Sequence, residues 1–346
     1  MFEDMKFCMC APADSSMAVT RQWWRQIDAH GFDFIGLADT PLLCREVYVS
    51  LAAAAMDTSR AKLMLMVSNP ITRDVSVTAG AMQGLREIAG DRLWYGFGAG
   101  DSSILGVGLK HATGSQMADY LVALREILAG RTADYNGRKI TAAWRDWKPW
   151  RPHLMMAAGG EKNLRMAARV ADSVITSLGL LPDQVARSIE LVQEGAREAG
   201  RDPSEVDIWY LVTVVPGESV EAAFANYNAA AQAKRFVETG EKDAEKYPPE
   251  VRAALREMAP YYSLQKHSRT NQEVADVAIR TGTLDWFVQR AGGMFGDQNY
   301  TDAVERLRQM GAKNLILVGM SPDKPAIIDA VAAATVAKRK ALAPSG

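Results

Sequence analysis

Four stretches of this chain carry residue types that could hold or transform a ligand. Ala157-Ala158-Gly159-Gly160 precedes Glu161-Lys162-Asn163 and a helical pattern. Small residues at a strand-to-helix turn let backbone N–H groups approach a phosphate at the helix N-terminus, although a tight turn alone explains the same residues. Gly98-Ala99-Gly100-Asp101 poses the same choice. Its glycines admit a flat ligand, and Asp101 is either a general acid/base or a helix N-cap. Asp39-Thr40 follows another apolar run, where a carboxylate is either a solvated turn residue or a hydrogen-bonding group for a cofactor. In LMLMVSNPITR (Leu63–Arg73) an apolar run turns abruptly polar at Ser68-Asn69-Pro70, as a structural corner or a ligand contact would require.

Other residues offer weaker chemistry. His111 lies beyond Asp101 in the same connection, within possible reach of a pocket, whereas His30 and His153 read as structural and His267 has no clear place. No two histidines stand at metal-ligand spacing, so no metal site is expected. Trp144, Trp147 and Trp150 either wall an apolar substrate pocket or plug a joint between loop and core. Cys8 and Cys10 share one face of a buried strand, with Cys10 nearer the strand's end and a candidate for the substrate pocket. No Ser/His/Asp nucleophilic set is evident.

These residues must be positioned by regular elements, and eight short apolar runs supply them. They are Lys6–Ala11, Phe32–Ala38, Lys62–Val67, Leu93–Phe97, Leu154–Ala158, Ser173–Thr176, Ile208–Val215 and Leu315–Val318. Runs apolar on both faces read as parallel strands covered by helices. Between them, Val77/Ala81/Leu85/Ile88, Met117/Leu121/Leu124/Leu128 and Val185/Ile189/Val192/Ala196 follow helical spacing, each closed by a glycine. Eightfold alternation without a dinucleotide fingerprint after the first strand predicts a (β/α)8 TIM barrel, an α/β fold. The candidate residues then gather at the C-terminal ends of the strands, where barrels bind ligands. Two segments break the pattern: a Trp-rich connection at Asp134–Arg151, between strands 4 and 5, and a long helical insertion or lid over about 219–299, between strands 7 and 8. The eighth strand lies beyond the insertion, so one domain over 1–346 is expected.

Composition sets outer limits. The 346 residues are 48% hydrophobic and 23% charged, with a formal net charge of −1, which suits a large core and argues against nucleic acid as a partner. Three cysteines and no secretory pattern predict a reducing cytoplasm, and no apolar run is long enough to predict a membrane span.

In order, the segments GFDFIGLADT, LMLMVSNPITRDVSVTAGAMQGL, GDRLWYGFGAGD and LMMAAGGEKNLRMAARVADSVIT resemble the bacterial luciferase-like superfamily, and most of all its methylenetetrahydromethanopterin reductase branch. The resemblance implies a flavin or deazaflavin ring in the mouth of the barrel. It implies a cis Met66–Val67 bond behind that ring, with Ser68 and Asn69 at its edge. It places the phosphate on Ala157–Gly160, makes Asp39, Thr40, Gly100 and Thr176 further cofactor neighbours, and sets Asp101 near the reacting centre.

Three departures bear on activity. Thr40 stands where deazaflavin-using relatives commonly carry His, Cys10 where the reductase branch has Glu, and Leu178 follows Thr176-Ser177 without the lysine of sugar-phosphate dehydrogenases. The expectation is therefore a monooxygenase that uses reduced FMN from a separate reductase, O2 and a small organic substrate, as a homodimer or higher homo-oligomer. The alternative is a dehydrogenase or reductase that moves hydride through the deazaflavin coenzyme F-420. A third reading is a non-catalytic flavin-binding relative.

Overall fold

The structure is a computed structural model and describes residues 1–340 other than Asp101, Gly106, Lys242, Asp243 and Ser268. Eight parallel strands form a closed barrel: β1 (Lys6–Cys10), β2 (Phe34–Leu37), β3 (Lys62–Ser68), β4 (Leu93–Phe97), β5 (His153–Ala158), β6 (Ser173–Thr176), β7 (Asp207–Val215) and β8 (Asn314–Gly319). Each pairs with its successor, and β8 closes the ring against β1 through Lys6↔Asn314 to Cys10↔Val318. All eight expected strands are present. No described helix is long and apolar enough to cross a membrane.

Helices cover the outer face. The helix Val75–Ala89 starts where the Asp74 side chain accepts from Ser76 N, and it buries Val75, Thr78, Ala79, Met82, Leu85 and Ala89. The stripe expected from spacing was a different one, and of its members Val77 and Ile88 are exposed. This helix is apolar on more than one side, so periodicity could not choose between the stripes. The helices Gly114–Leu128 and Pro182–Glu198 bury the expected residues apart from half-buried Ile189.

The barrel interior is built by period-two alternation. Cys8, Phe34, Met64, Met155, Ile175, Trp209 and Ile316 form one buried cluster, with Met66, Val67, Trp94, Ala157, Leu211 and Val318 packed against it. Aromatic rings close its N-terminal end. Trp94 stacks on His153 with centroids 3.6 Å apart, Phe34 lies 4.6 Å from Trp94, and Trp209 meets Phe34 edge-on at 5.0 Å.

His153 Nε2 lies 2.7 Å from Ser173 Oγ, and burial pushes the imidazole down from 6.5 to about 4. It is therefore neutral when folded, and unfolding lets it take a proton below pH 6.5. Its contribution to stability is complete above pH 6.5 and is lost as pH falls from 6.5 towards 4, by on the order of 3 kcal/mol. Urea midpoints measured at pH 7 and pH 5 should drop further for the wild type than for His153→Gln. Parallel behaviour of the two proteins would mean that His153 is not held neutral.

The Trp-rich connection lies away from the mouth. It contains a hairpin, Ala133–Tyr135 with Arg138–Ile140, and runs along the outer wall. Trp150 donates from its backbone to Leu128 O and from its indole to Gln83 Oε1, and its ring stands 6.2 Å from that of Tyr95. Trp147 packs edge-on to Trp144 and sits beside Gly130, at the end of the Gly114–Leu128 helix. A segment joining a helix end to a strand start belongs to the N-terminal side of a barrel. Trp144, Trp147 and Trp150 accordingly plug the joint and do not wall a substrate pocket.

Candidate active site

The abrupt end of β3 is an interlocked corner. Met66–Val67 is a cis peptide bond, and the pairing of β3 with β4 skips between Leu65 and Ser68. The displaced Val67 side chain presses against β4, where a Cβ on Gly98 would lie 2.7 Å from Val67 Cγ2 and one on Gly96 2.5 Å from Leu65 O. Glycine at both positions is what lets the two strands approach.

The polar residues that follow are spent internally. Ser68 Oγ donates to Asp39 Oδ2 at 2.6 Å, and both side chains are buried. Asn69 Oδ1 accepts from the backbone of Ile71 and Thr72 at 2.9 Å each, turning the chain, and its amide reaches Ser103 Oγ at 3.4 Å. Arg73 holds its Nε 3.6 Å from Asp39 Oδ2 and also pairs with Glu46. Burial pushes the Asp39 carboxyl above its usual range, against the opposing pull of Ser68 and Arg73. Asp39, Ser68 and Asn69 thus frame the mouth from beneath.

Around the rim, Thr40 Oγ1 lies 3.5 Å from Ser102 Oγ, and exposed His111 contacts the Gly100 carbonyl through Nδ1. Asp101 lies outside the described residues. Thr176 is buried and accepts from Leu178 N at 3.2 Å. Cys10 is buried at the end of β1, and desolvation raises its thiol to about 12, so it offers no thiolate near neutral pH. The inward residues at this end of the barrel, Met66, Val67, Ala157, Leu211 and Val318, are apolar. Among the described residues, no group of three or more His, Cys, Asp or Glu could hold a metal ion.

Polar recognition is concentrated to one side. A cavity of about 670 Å³ runs from the Gly159-Gly160 turn across the start of the Pro182–Glu198 helix to the insertion helices Ala229–Glu238 and Leu284–Arg290. Gly160 begins the Glu161–Val170 helix with no side-chain cap, leaving first-turn amides for a ligand. Four cationic side chains line the cavity, Arg187, Arg235, Lys246 and Arg290, against two carboxylates, Glu161 and Asp183. Arg187 is tethered to Glu161 at 2.9 Å and to Glu190 at 3.1 Å. Arg290 donates from Nη2 to Leu178 O at 3.0 Å, while its buried Nε and the buried Gln232 Nε2 have no acceptor among the described residues. Buried donors without acceptors and uncapped helix amides fit a phosphate-bearing ligand.

Gly159 and Gly160 line this cavity, whereas Ala157 packs against the barrel interior and Ala158 is buried. Gln232, Arg235, Lys246 and Arg290 had no signature in the sequence, because the insertion's path back to the β5 turn is a tertiary event without periodicity. Arg187, one turn into the helix that follows β6, could have been found from that helix's position on the catalytic face.

Known proteins share this chain's family and fold. The family described as luciferase-like monooxygenase matches residues 5–287. A 5,10-methylenetetrahydromethanopterin reductase of Methanolobus tindarius is 30% identical over 202 residues, which cover 57% of this chain and 61% of the relative. The chain thus spans about three fifths of that curated relative's length. Two solved structures share the fold: the coenzyme F-420-dependent tetrahydromethanopterin reductase of Methanopyrus kandleri (TM-score 0.68, 20% identity, 96% of this chain and 99% of that one) and a long-chain alkane monooxygenase (TM-score 0.68, 13% identity, 100% and 94%).

Proposed function

Because this chain belongs to the luciferase-like monooxygenase family, we propose that it is an oxidoreductase that transfers hydride through a deazaflavin of the coenzyme F-420 type. When bound, that group supplies a ring which accepts or gives hydride at carbon. The chain's own residues would hold and enclose it. The Val67 bulge and the small residues of β4 form one wall of the mouth, with apolar side chains that exclude water. The Gly159-Gly160 turn and first-turn amides would take the phosphate, and Arg290, Gln232 and Arg187 the rest of an anionic tail.

The observation that carries this reading is the cationic cleft. It continues well beyond the phosphate turn into the insertion, where the buried Arg290 Nε and Gln232 Nε2 have no acceptor among the described residues. A deazaflavin tail bearing carboxylates after its phosphate satisfies such a wall by charge-assisted hydrogen bonds.

A second reading, the monooxygenase that uses reduced FMN from a separate reductase and O2, is favoured by one feature of the rim. Thr40, hydrogen-bonded to Ser102, stands where the deazaflavin-using relatives resembled by this sequence commonly carry an imidazole for proton traffic. Parallel titrations with oxidised FMN and the deazaflavin, followed by turnover assays with and without O2, separate the two. Deazaflavin binding at least tenfold tighter, with oxygen-independent turnover, is the expected result. Tighter FMN binding together with substrate-dependent O2 uptake would replace the hydride reading with the monooxygenase.

A further inference from the structure

We propose that the opposite, N-terminal end of the barrel holds a second ligand site, for a small phosphate ester with a flat, ring-bearing body. A cavity of about 380 Å³ opens there, lined by Lys6, Arg60, Lys62, Asp33, Phe34 and Trp94 among others. Its size falls in the range of small-molecule pockets. The strands run roughly 3.3 Å per residue, so this cavity is separated from the mouth by about the length of the barrel and is independent of the cofactor reading.

The charge balance of the lining points to an anion. Asp33 is its one acid, and that carboxylate is already satisfied: it accepts from Phe7 N at 2.7 Å and from Arg339 at 3.1 and 2.6 Å. Lys6 is paired with Asp207 at 3.1 Å. Arg60 and Lys62 form no ion pair among the described residues. Lys62 and the paired Lys6 both hang over one aromatic platform, with their ammonium nitrogens 5.2 and 5.9 Å from the Trp94 centroid and Lys62 5.9 Å from that of Phe34. Two cations held over one ring repel each other. A phosphate dianion would give Lys62 and Arg60 the counter-charge they lack among the described residues, through charge-assisted hydrogen bonds.

The platform accounts for the flat body. Trp94 is fixed from behind by the stacked ring of His153, at an interplanar angle of 16°, and from the side by Phe34 and Trp209. Neutral His153 adds no competing charge. A ring that moves the flexible lysine stems aside and packs on Trp94 would find a rigid apolar floor.

Phenyl phosphate and inorganic phosphate, titrated calorimetrically into the full chain, test the proposal. Phenyl phosphate should bind saturably and at least tenfold tighter than inorganic phosphate. Its affinity should fall at least tenfold in R60A/K62A and stay within about twofold in Gly160→Val, which obstructs the cleft at the mouth. Arg60 and Lys62 are exposed, so an unchanged melting temperature should accompany the loss in the double variant. Loss in Gly160→Val with retention in R60A/K62A would assign the binding to the mouth and overturn the proposal. Absence of saturable binding, or equal affinity in wild type and double variant, would overturn it too. Equal affinity for the two phosphates would overturn it as well, because the ring would then gain nothing from the Trp94 platform.

Discussion

Gly160→Val is expected to weaken binding of the phosphate-bearing cofactor by about a hundredfold or more while leaving the fold intact. The backbone at Gly160 is extended, with φ −123° and ψ 153°, a conformation any residue adopts. A Cβ built there meets nothing within 4 Å, because the position faces the anion cleft that it lines. The valine methyls would occupy the space a phosphate needs beside the uncapped amides. A hundredfold loss corresponds to about 2.7 kcal/mol, and replacing Gly at a helix N-cap costs at most about 1 kcal/mol of stability. Gly159→Val is a poorer test, since its Cβ would lie 2.6 Å from Ser177 Oγ and the turn itself would have to move. Titration of the Gly160 variant, alongside a thermal melt, decides the matter. An unchanged dissociation constant in a folded variant would put the phosphate elsewhere.

The second large effect falls on stability. Asp39→Ala should lower the unfolding free energy by roughly 2–4 kcal/mol, read from urea midpoints at neutral pH. Its carboxylate is 4% exposed, accepts from buried Ser68 and balances Arg73. Truncation would strand the Ser68 hydroxyl and leave the half-buried Arg73 with Glu46 as its one counter-charge among the described residues. Asp39→Asn keeps an acceptor for Ser68 and loses only the charge, so it should fall between the two. If Asp39→Ala unfolded like the wild type yet bound no cofactor, Asp39 would be a direct ligand contact and not part of the frame.

Much of the barrel was legible because its signal is local. Runs such as Leu63–Val67 are apolar on both faces, and that pattern survives whatever lies around them. The corner after β3 was legible through the resemblance, which located the cis bond at Met66–Val67. The roles of Ser68 and Asn69 were not, because nothing in their sequence neighbourhood shows that Asp39, far away in the chain, would accept from Ser68. The tryptophans were left with two readings for an avoidable reason. The rule that assigns strand ends to the catalytic face assigns helix-to-strand connections to the other face, and Trp144 to Trp150 lie in such a connection. The cationic cleft was invisible for a deeper one. Arg235, Lys246 and Arg290 come from an insertion whose own core, built on residues such as Phe224, Leu255 and Phe287, fixes its path independently of the barrel's repeat.

The pairing of β8 with β1 also governs when this molecule becomes whole. During synthesis β1 emerges first and keeps one edge unpaired until residues 314–319 arrive, after the entire insertion has been made. Until then β7 and β1 both present bare backbone edges, the kind of surface that recruits strands from other chains. The last described turns complete the seal: Arg339 grips Asp33 and the Phe2 carbonyl, and Asp329 takes Gln26 and His30 of the first helix. Nascent chains stalled before residue 314 would be the ones most in need of a chaperone, and the insertion lengthens that interval.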